Sequence, residues 1–196
     1  MVWIWDWLRE PVDLEVGFYG FEPDPDVKGL PQFATAPLPP GTRAILKSRY
    51  SLKRFQGLHN LPMLRVTVDR LWRDIVLKFV PPDRVQFVPA HLTARGKPCD
   101  DFFVMLPFDR VIGIDKHRSA ISSMIEYEHG THIFSIERLV LLPNCLGGLH
   151  LARDHQIDTM LYVSDELRNA LAATGQDSAF FTVESYTRKL LGVVEH

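Results

Sequence analysis

Residues 161–181, LYVSDELRNALAATGQDSAFF, constrain the fold of this chain more than any other stretch. Residues 161–163 form a short apolar run of strand type. Ser164 follows as a favoured N-cap, its hydroxyl able to accept from the free amides of a first helical turn, a contribution of about 1 kcal/mol. Asp165 and Glu166 place negative charge at the positive end of the helix dipole. Leu167, Ala170, Leu171 and Thr174 recur at helical spacing, and Gly175 stands where a left-handed residue ends a helix. Residues 179–183 then read as a second strand. A strand–helix–strand unit of this kind needs a sheet beneath its helix, and its residues are those of folding rather than of bond-making chemistry.

The middle of the chain supplies strands for such a sheet. Residues 85–90 and 102–106 are strand-like runs separated by the turn chemistry of ARGKP. Residues 111–114, 133–142 and 149–152 are further strand candidates. Ahead of them, Thr67 is positioned to cap a helix whose apolar face is Val68, Leu71, Trp72, Ile75 and Phe79, ended by Pro81 and Pro82. Half of the 14 prolines lie before residue 41, which breaks that region into loops and short edge pieces. Strands after helices with one late crossover favour an α+β fold, with a mixed, mainly antiparallel sheet, a few packed helices and a proline-rich N-terminal arm or subdomain. The expected division is residues 1–58 as that subdomain and 59–196 as the core, with one continuous domain as the alternative.

Charge is segregated along the sequence. Residues 1–30 carry seven carboxylates against two cations, a net charge of −5, whereas residues 41–78 carry nine cations against two carboxylates, a net charge of +7. Such polarity either steers a partner or is neutralised internally by the acidic stretch folding over the basic one. Trp3, Trp5 and Trp7 alternate with Val2, Ile4 and Asp6 at the period of a strand, so the tryptophans either pack on the body or present an aromatic face. The formal net charge of the whole chain is −2. The sequence MVWIWDWLREP has neither the basic flank nor the long apolar stretch of a secretory signal. With Cys99 and Cys145 too few for a disulfide framework, the expectation is a cytoplasmic protein with no membrane partner.

A search for chemistry returns weak signals. His129 and His132 have an HxxH spacing, but in a turn rather than on a helix, and Cys145, His150 and His155 match no finger spacing. There is no GxSxG elbow, and Ser119, Ser122 and Ser123 lie in an unmarked polar stretch. Cys99 precedes Asp100 and Asp101, neighbours that raise a thiol pKa. Gly147-Gly148 lacks the spacing and lysine of a phosphate loop. The stretch RAILKSRYSLKRF, residues 43–55, interleaves Tyr50 and Phe55 with five cations, but without a nucleic-acid-binding motif around it. No cofactor, metal or nucleic acid is expected.

Four stretches together resemble a known family: RVQFVPAHLTARG, DDFFVMLPFDRVIGID, HIFSIERLVL and the closing LYVSDELRNALAATGQDSAFF. The resemblance is to the bacterial polymorphic-toxin immunity proteins of the family numbered eleven, formerly a domain of unknown function. Its members carry a "vqF-P" strand, an aromatic-rich strand ending in proline, a "vd-id" segment and a final helix and strand. The matching positions here are Val85, Gln86, Phe87 and Pro89; Phe102, Phe103, Pro107, Ile114 and Asp115; and Val163, Ser164, Glu166, Leu167, Leu171, Gly175 and Phe181. The chain departs from the pattern at Leu106, where asparagine is common, and at Asp177-Ser178, where glycine is common. The likeness spans roughly residues 60–184.

The resemblance implies a non-catalytic immunity protein that binds and neutralises a cognate toxin or secreted effector, encoded beside it, by occlusion in interbacterial competition. Tight occlusion needs a patch of about 800 Å² per partner with a few aromatic or arginine anchors. Trp3, Trp5, Asp24, Asp26, Arg49 and Arg54 are the expected partner-binding residues, with the loops near 93–101 as a second surface. The alternatives are a hydrolase using a histidine cluster (His129, His132, His150 and His155) and an adaptor that carries an effector without silencing it.

Overall fold

A computed structural model describes residues 1–6, 16–22, 36–61, 66–127, 130–157 and 159–190. The strands are β1 (Val2–Trp5), β2 (Val16–Glu22), β3 (Arg43–Ser48), β4 (Asn60–Leu61), β5 (Thr67–Asp69), β6 (Val85–Ala94), β7 (Lys97–Pro107), β8 (Arg110–Val111), β9 (Ala120–Tyr127), β10 (Gly130–Arg138), β11 (Leu151–Asp154), β12 (Leu161–Ser164) and β13 (Phe180–Phe181). The helices are α1 (Arg70–Phe79), α2 (Asp165–Ala172) and α3 (Val183–Leu190). The fold is α+β, with mixed, mostly antiparallel sheets. Much of the expected proline-rich arm falls on residues 7–15 and 23–35, outside those described.

The chain divides into two compact units: Met1–Asp6, Asp109–Ala170 and Phe180–His196 form one, Trp7–Phe108 and Leu171–Ala179 the other. A boundary at residue 58 does not describe this arrangement. Strand β3, before that position, pairs in parallel with β6, after it, and β2 lies beside β3. Among the described residues, Met1–Asp6 falls in one unit and β2 and β3 in the other.

In the first unit the sheet order is β13-β1-β12-β11-β8. The expected crossover from β12 through α2 to β13 is present, but β1 is inserted between its two strands and is antiparallel to both. Ser164 caps α2 as the sequence predicts, its Oγ accepting from the Leu167 amide at 3.2 Å. Gly175 takes the left-handed conformation at φ +98°. The second strand ends at Phe181 rather than at residue 183, because Thr182 accepts from the Ser185 amide and starts α3. Apolar side chains of Ile4, Ile114, Ile133, Ile136, Leu146 and Tyr162 form the core.

A buried carboxylate organises this core. Asp154 is fully buried and accepts from the amides of Gln156 (2.6 Å), Ile157 (2.9 Å) and Gly113 (3.0 Å) and from the Tyr162 hydroxyl (2.8 Å). These four donors replace the water that burial removes. Gly113 is needed for space: a Cβ there meets Cε2 of Tyr162 at 2.3 Å.

The second unit is built on a sheet of order β2-β3-β6-β7-β5-β4. Val88, Ala90, Leu92 and Ala94 alternate along β6 and pack with Phe102, Val104 and Leu106 of β7. Strand β7 is buried on consecutive positions from Phe102 onward, as a strand covered on both faces must be. The cap of α1 is Asp69, whose Oδ1 accepts from the Trp72 amide at 2.9 Å; Thr67 and Val68, expected on the helix, belong to β5. Thr67 is held in the ladder with β7, and Asp69, next to the helix, brings a negative charge to its N-terminus. Buried Trp72 donates its indole N–H to Thr174 at 2.8 Å, and Gln176 accepts from the His59 amide at 2.7 Å, which ties residues 171–179 into this unit. No helix among the described residues is long and apolar enough to cross a membrane.

Two outcomes follow from the Asp154 network. Gly113→Ala forces the Tyr162 ring or the backbone aside and should cost about 1–3 kcal/mol, read as a lower urea midpoint with an unchanged slope. Burial pushes the Asp154 carboxyl above its ordinary range, although its four donors pull the other way. The native state then holds a proton there more readily than the unfolded chain. The group's contribution to stability therefore falls as pH rises from its unfolded value, about 3.9, to its raised native value, and is level above that. In urea melts across that acidic window, the stability difference between wild type and Asp154→Asn should shift in favour of wild type as pH falls.

Candidate partner interface

The residues expected to meet a partner fall into different settings. Trp5 is fully buried beside Phe180, ring centroids 5.4 Å apart, so it is a core residue and not an anchor. Trp3 is half-buried; its indole N–H donates to Asp165 at 2.6 Å and the Arg168 guanidinium lies 4.3 Å from its ring centroid. The packed reading of the tryptophan strand thus holds for both. Asp24, Asp26 and Trp7 lie outside the described residues. Arg49 and Arg54 are the pair the structure brings together.

Their meeting point is Tyr50, in the second unit. The guanidinium carbons of Arg49 and Arg54 lie 5.4 and 5.5 Å from its ring centroid. Local chemistry fixes the loop: the Tyr50 amide donates to Ser48 Oγ at 3.2 Å, and the short 3₁₀ turn Leu52–Phe55 buries Phe55 while leaving Lys53 and Arg54 exposed. The ARGKP turn closes as a two-residue hairpin with positive φ at both Arg95 (48°) and Gly96 (76°), the geometry that matches strand twist. Arg95 then donates through its backbone to the Ser48 carbonyl (3.1 Å) and through Nε to the Arg49 carbonyl (2.9 Å). The second expected surface, near 93–101, therefore joins the first at Arg95.

Tyr19 completes this face. Phe18 pairs with Leu46 and Gly20 with Ile45, so Tyr19 is the extra residue of a β-bulge in β2. It is 65% exposed, and Lys47 Nζ lies 4.7 Å from its ring centroid. The ring also lies over Gly17, where a Cβ falls 2.9 Å from Cε2. A shallow cleft of about 380 Å³ runs between Gly17, Tyr19, Lys47 and Arg49. The sequence reading missed Tyr19; its signal was the glycine pair flanking it in Gly17-Phe18-Tyr19-Gly20, since glycine within a strand marks a bulge or a close approach.

The first unit carries a different exposed surface. Strands β9 and β10 form a two-stranded ribbon in which Ile125, Tyr127 and Phe134 are all largely exposed, and His132 meets the Phe134 ring edge-on at 4.7 Å. Strand β9 was not expected, because its serines read as loop. Among the histidines, His150 Nδ1 sits 2.8 Å from Ser164 Oγ and 3.9 Å from Glu166 Oε2. Both contacts fall on one ring nitrogen, whereas a charge-oriented Ser–His pair uses both. Ser164 is also engaged as the α2 cap. Among the described residues no group of three or more His, Cys, Asp or Glu converges to hold a metal ion. Burial raises the Cys99 thiol pKa, with Asp101 and Asp100 adding to it, the direction the sequence suggests.

No family model matches the chain, and no curated protein matches it. The arrangement itself is a set of cations stacked on tyrosines, the residue types that dominate protein interfaces.

Gly17→Ala tests how Tyr19 is held. The added methyl meets the far edge of a flexible ring, so stability should change by less than about 1 kcal/mol, while the ring leaves Lys47. The Lys47 side-chain proton resonances should lose their upfield ring-current shift, with the thermal midpoint nearly unchanged.

Proposed function

We propose that this chain is a binding protein of the immunity type, which neutralises a cognate bacterial toxin or secreted effector by covering part of its surface in the cytoplasm of the producing cell. The observation that carries this reading is the cation–aromatic face of the second unit. Arg49 and Arg54 converge on Tyr50, with Tyr19 and Lys47 beside them and Arg95 behind. Stacked guanidinium groups lose less rotamer freedom on docking than free ones, because the ring already orders them. Exposed Tyr19 adds large contact area at low entropic cost, while Tyr50 is partly buried against the core. The partner surface that fits is acidic, and its approach is accelerated by the same charges. The family resemblance of residues 60–184 supports the biological setting of the proposal.

The decisive experiment is co-expression with the product of the adjacent gene. Rescue of growth by the wild type is expected, together with a soluble complex. Arg49→Glu combined with Arg54→Glu should weaken that complex by about 2–4 kcal/mol, mostly through a faster off-rate but with a lost salt dependence of the on-rate, while the melting temperature stays near wild type. An adjacent product that is harmless, or whose toxicity continues, overturns neutralisation. A complex that forms while the toxin stays active identifies an adaptor instead.

A further inference from the structure

The second unit holds a larger cleft, of about 640 Å³, on residues the cation–aromatic face does not use. Its apolar lining is Leu52, Phe55, Leu58, Leu71 and Phe102, of which Leu71 is 47% exposed although it sits on a helix with a buried face. A leucine left out on the first turn of α1 opens the cleft rather than filling it. The polar lining is dominated by carboxylates: Asp69, Asp74 and Asp101, against Arg70 as the cation among the described lining residues. Asp69 is fixed by two contacts, with the Trp72 amide at 2.9 Å and with His59 Nδ1 at 2.8 Å. Asp74 is held by Arg73 at 2.6 Å.

We propose that this cleft is a socket for a cationic amphipathic side chain, an arginine or lysine of a partner protein, with the aliphatic stem against Leu71, Leu58 and Phe102 and the cationic head at the carboxylates. Its size lies in the range of specific ligand sites, and its pattern of apolar floor with a few fixed polar groups is theirs. The sign of the charge selects the occupant. An anionic ligand of the same length meets Asp69 and Asp101, with Asp74 shared with Arg73, and a neutral one leaves the head of the cleft without a partner. A bare cation gains little, since exposed charge pairs are worth little without the apolar half. The stem therefore supplies affinity and the head supplies selection. This socket is independent of the neutralisation reading, because it asks only for a partner with a protruding basic side chain.

Cys99 lines the cleft and reports its occupancy. In the full chain carrying Cys145→Ser, the rate of Cys99 alkylation by neutral iodoacetamide is measured with n-hexylguanidinium, with guanidinium alone and with hexanoate. Protection of several-fold by hexylguanidinium, saturating with concentration, is expected, with none from the other two. Leu71→Ser, at an exposed position, should abolish protection, and Asp74→Asn should weaken it. Equal protection by hexanoate, no protection by hexylguanidinium, or protection retained in both variants overturns the proposal. Circular dichroism of each variant confirms that the comparison is made on folded protein.

Discussion

The insertion of β1 between β12 and β13 is the constraint on which the first unit depends. Val2 pairs with Ser164 and Trp5 with Leu161 on one side, while Ile4 and Trp5 pair with Phe181 and Phe180 on the other. Two parallel strands joined by a crossover cannot bond to each other across such a gap; each needs β1 to satisfy its inner edge. The sheet therefore closes through residues separated by about 160 positions, and its ordering carries a loop-closure cost that must be offset by burial. Trp5 and Ile4 supply that burial, being among the largest fully buried side chains. This is also why the tryptophan strand belongs to the core and not to a partner.

The second unit is organised by the parallel pairing of β3 with β6. That register aligns Ser48 with Ala94 and so brings the loop after β3 against the Arg95 turn. Cations distant in sequence reach one end of the sheet for a backbone reason, since the Ser48 and Arg49 carbonyls both accept from Arg95. The 3₁₀ turn Leu52–Phe55 then separates two environments. Arg54 turns toward Tyr50, and Phe55 turns inward to line the acidic cleft. For the proposed partner, opposite charge on neighbouring surfaces of one small unit would give orientation as well as affinity, because docking in the wrong sense sets like charges against each other.

What was legible in the sequence was what local physics alone decides. Ser164 caps a helix whether or not its neighbours are known, Gly175 ends it, and the ARGKP turn folds the β6–β7 hairpin from two positive-φ residues. Arg49 and Arg54 were legible as charge and aromatic interleaving. The failures share a cause in tertiary context. Thr67 lost the cap to Asp69 because β5 needed the threonine in a ladder with β7. Strand β9 was hidden because Ser122 and Ser123 are exposed, and polar exposed positions carry no alternation signal. Tyr19 gained its role from a register shift between strands, a property of the pairing and not of either strand alone.

Several polar side chains of the two units are occupied in holding backbone amides or a buried indole N–H. Ser164 caps α2, Asp69 caps α1, Asp154 gathers three amides and a hydroxyl, and Thr174 receives the Trp72 indole. Each is set where removing it leaves a buried donor unsatisfied, at a cost of about 1–3 kcal/mol. The surface of the second unit carries cations beside tyrosine rings and an apolar cleft edged by Asp69, Asp74 and Asp101. In the proposed reading these groups would select a partner protein by charge and shape, with the capping and core residues beneath them keeping that surface in one conformation.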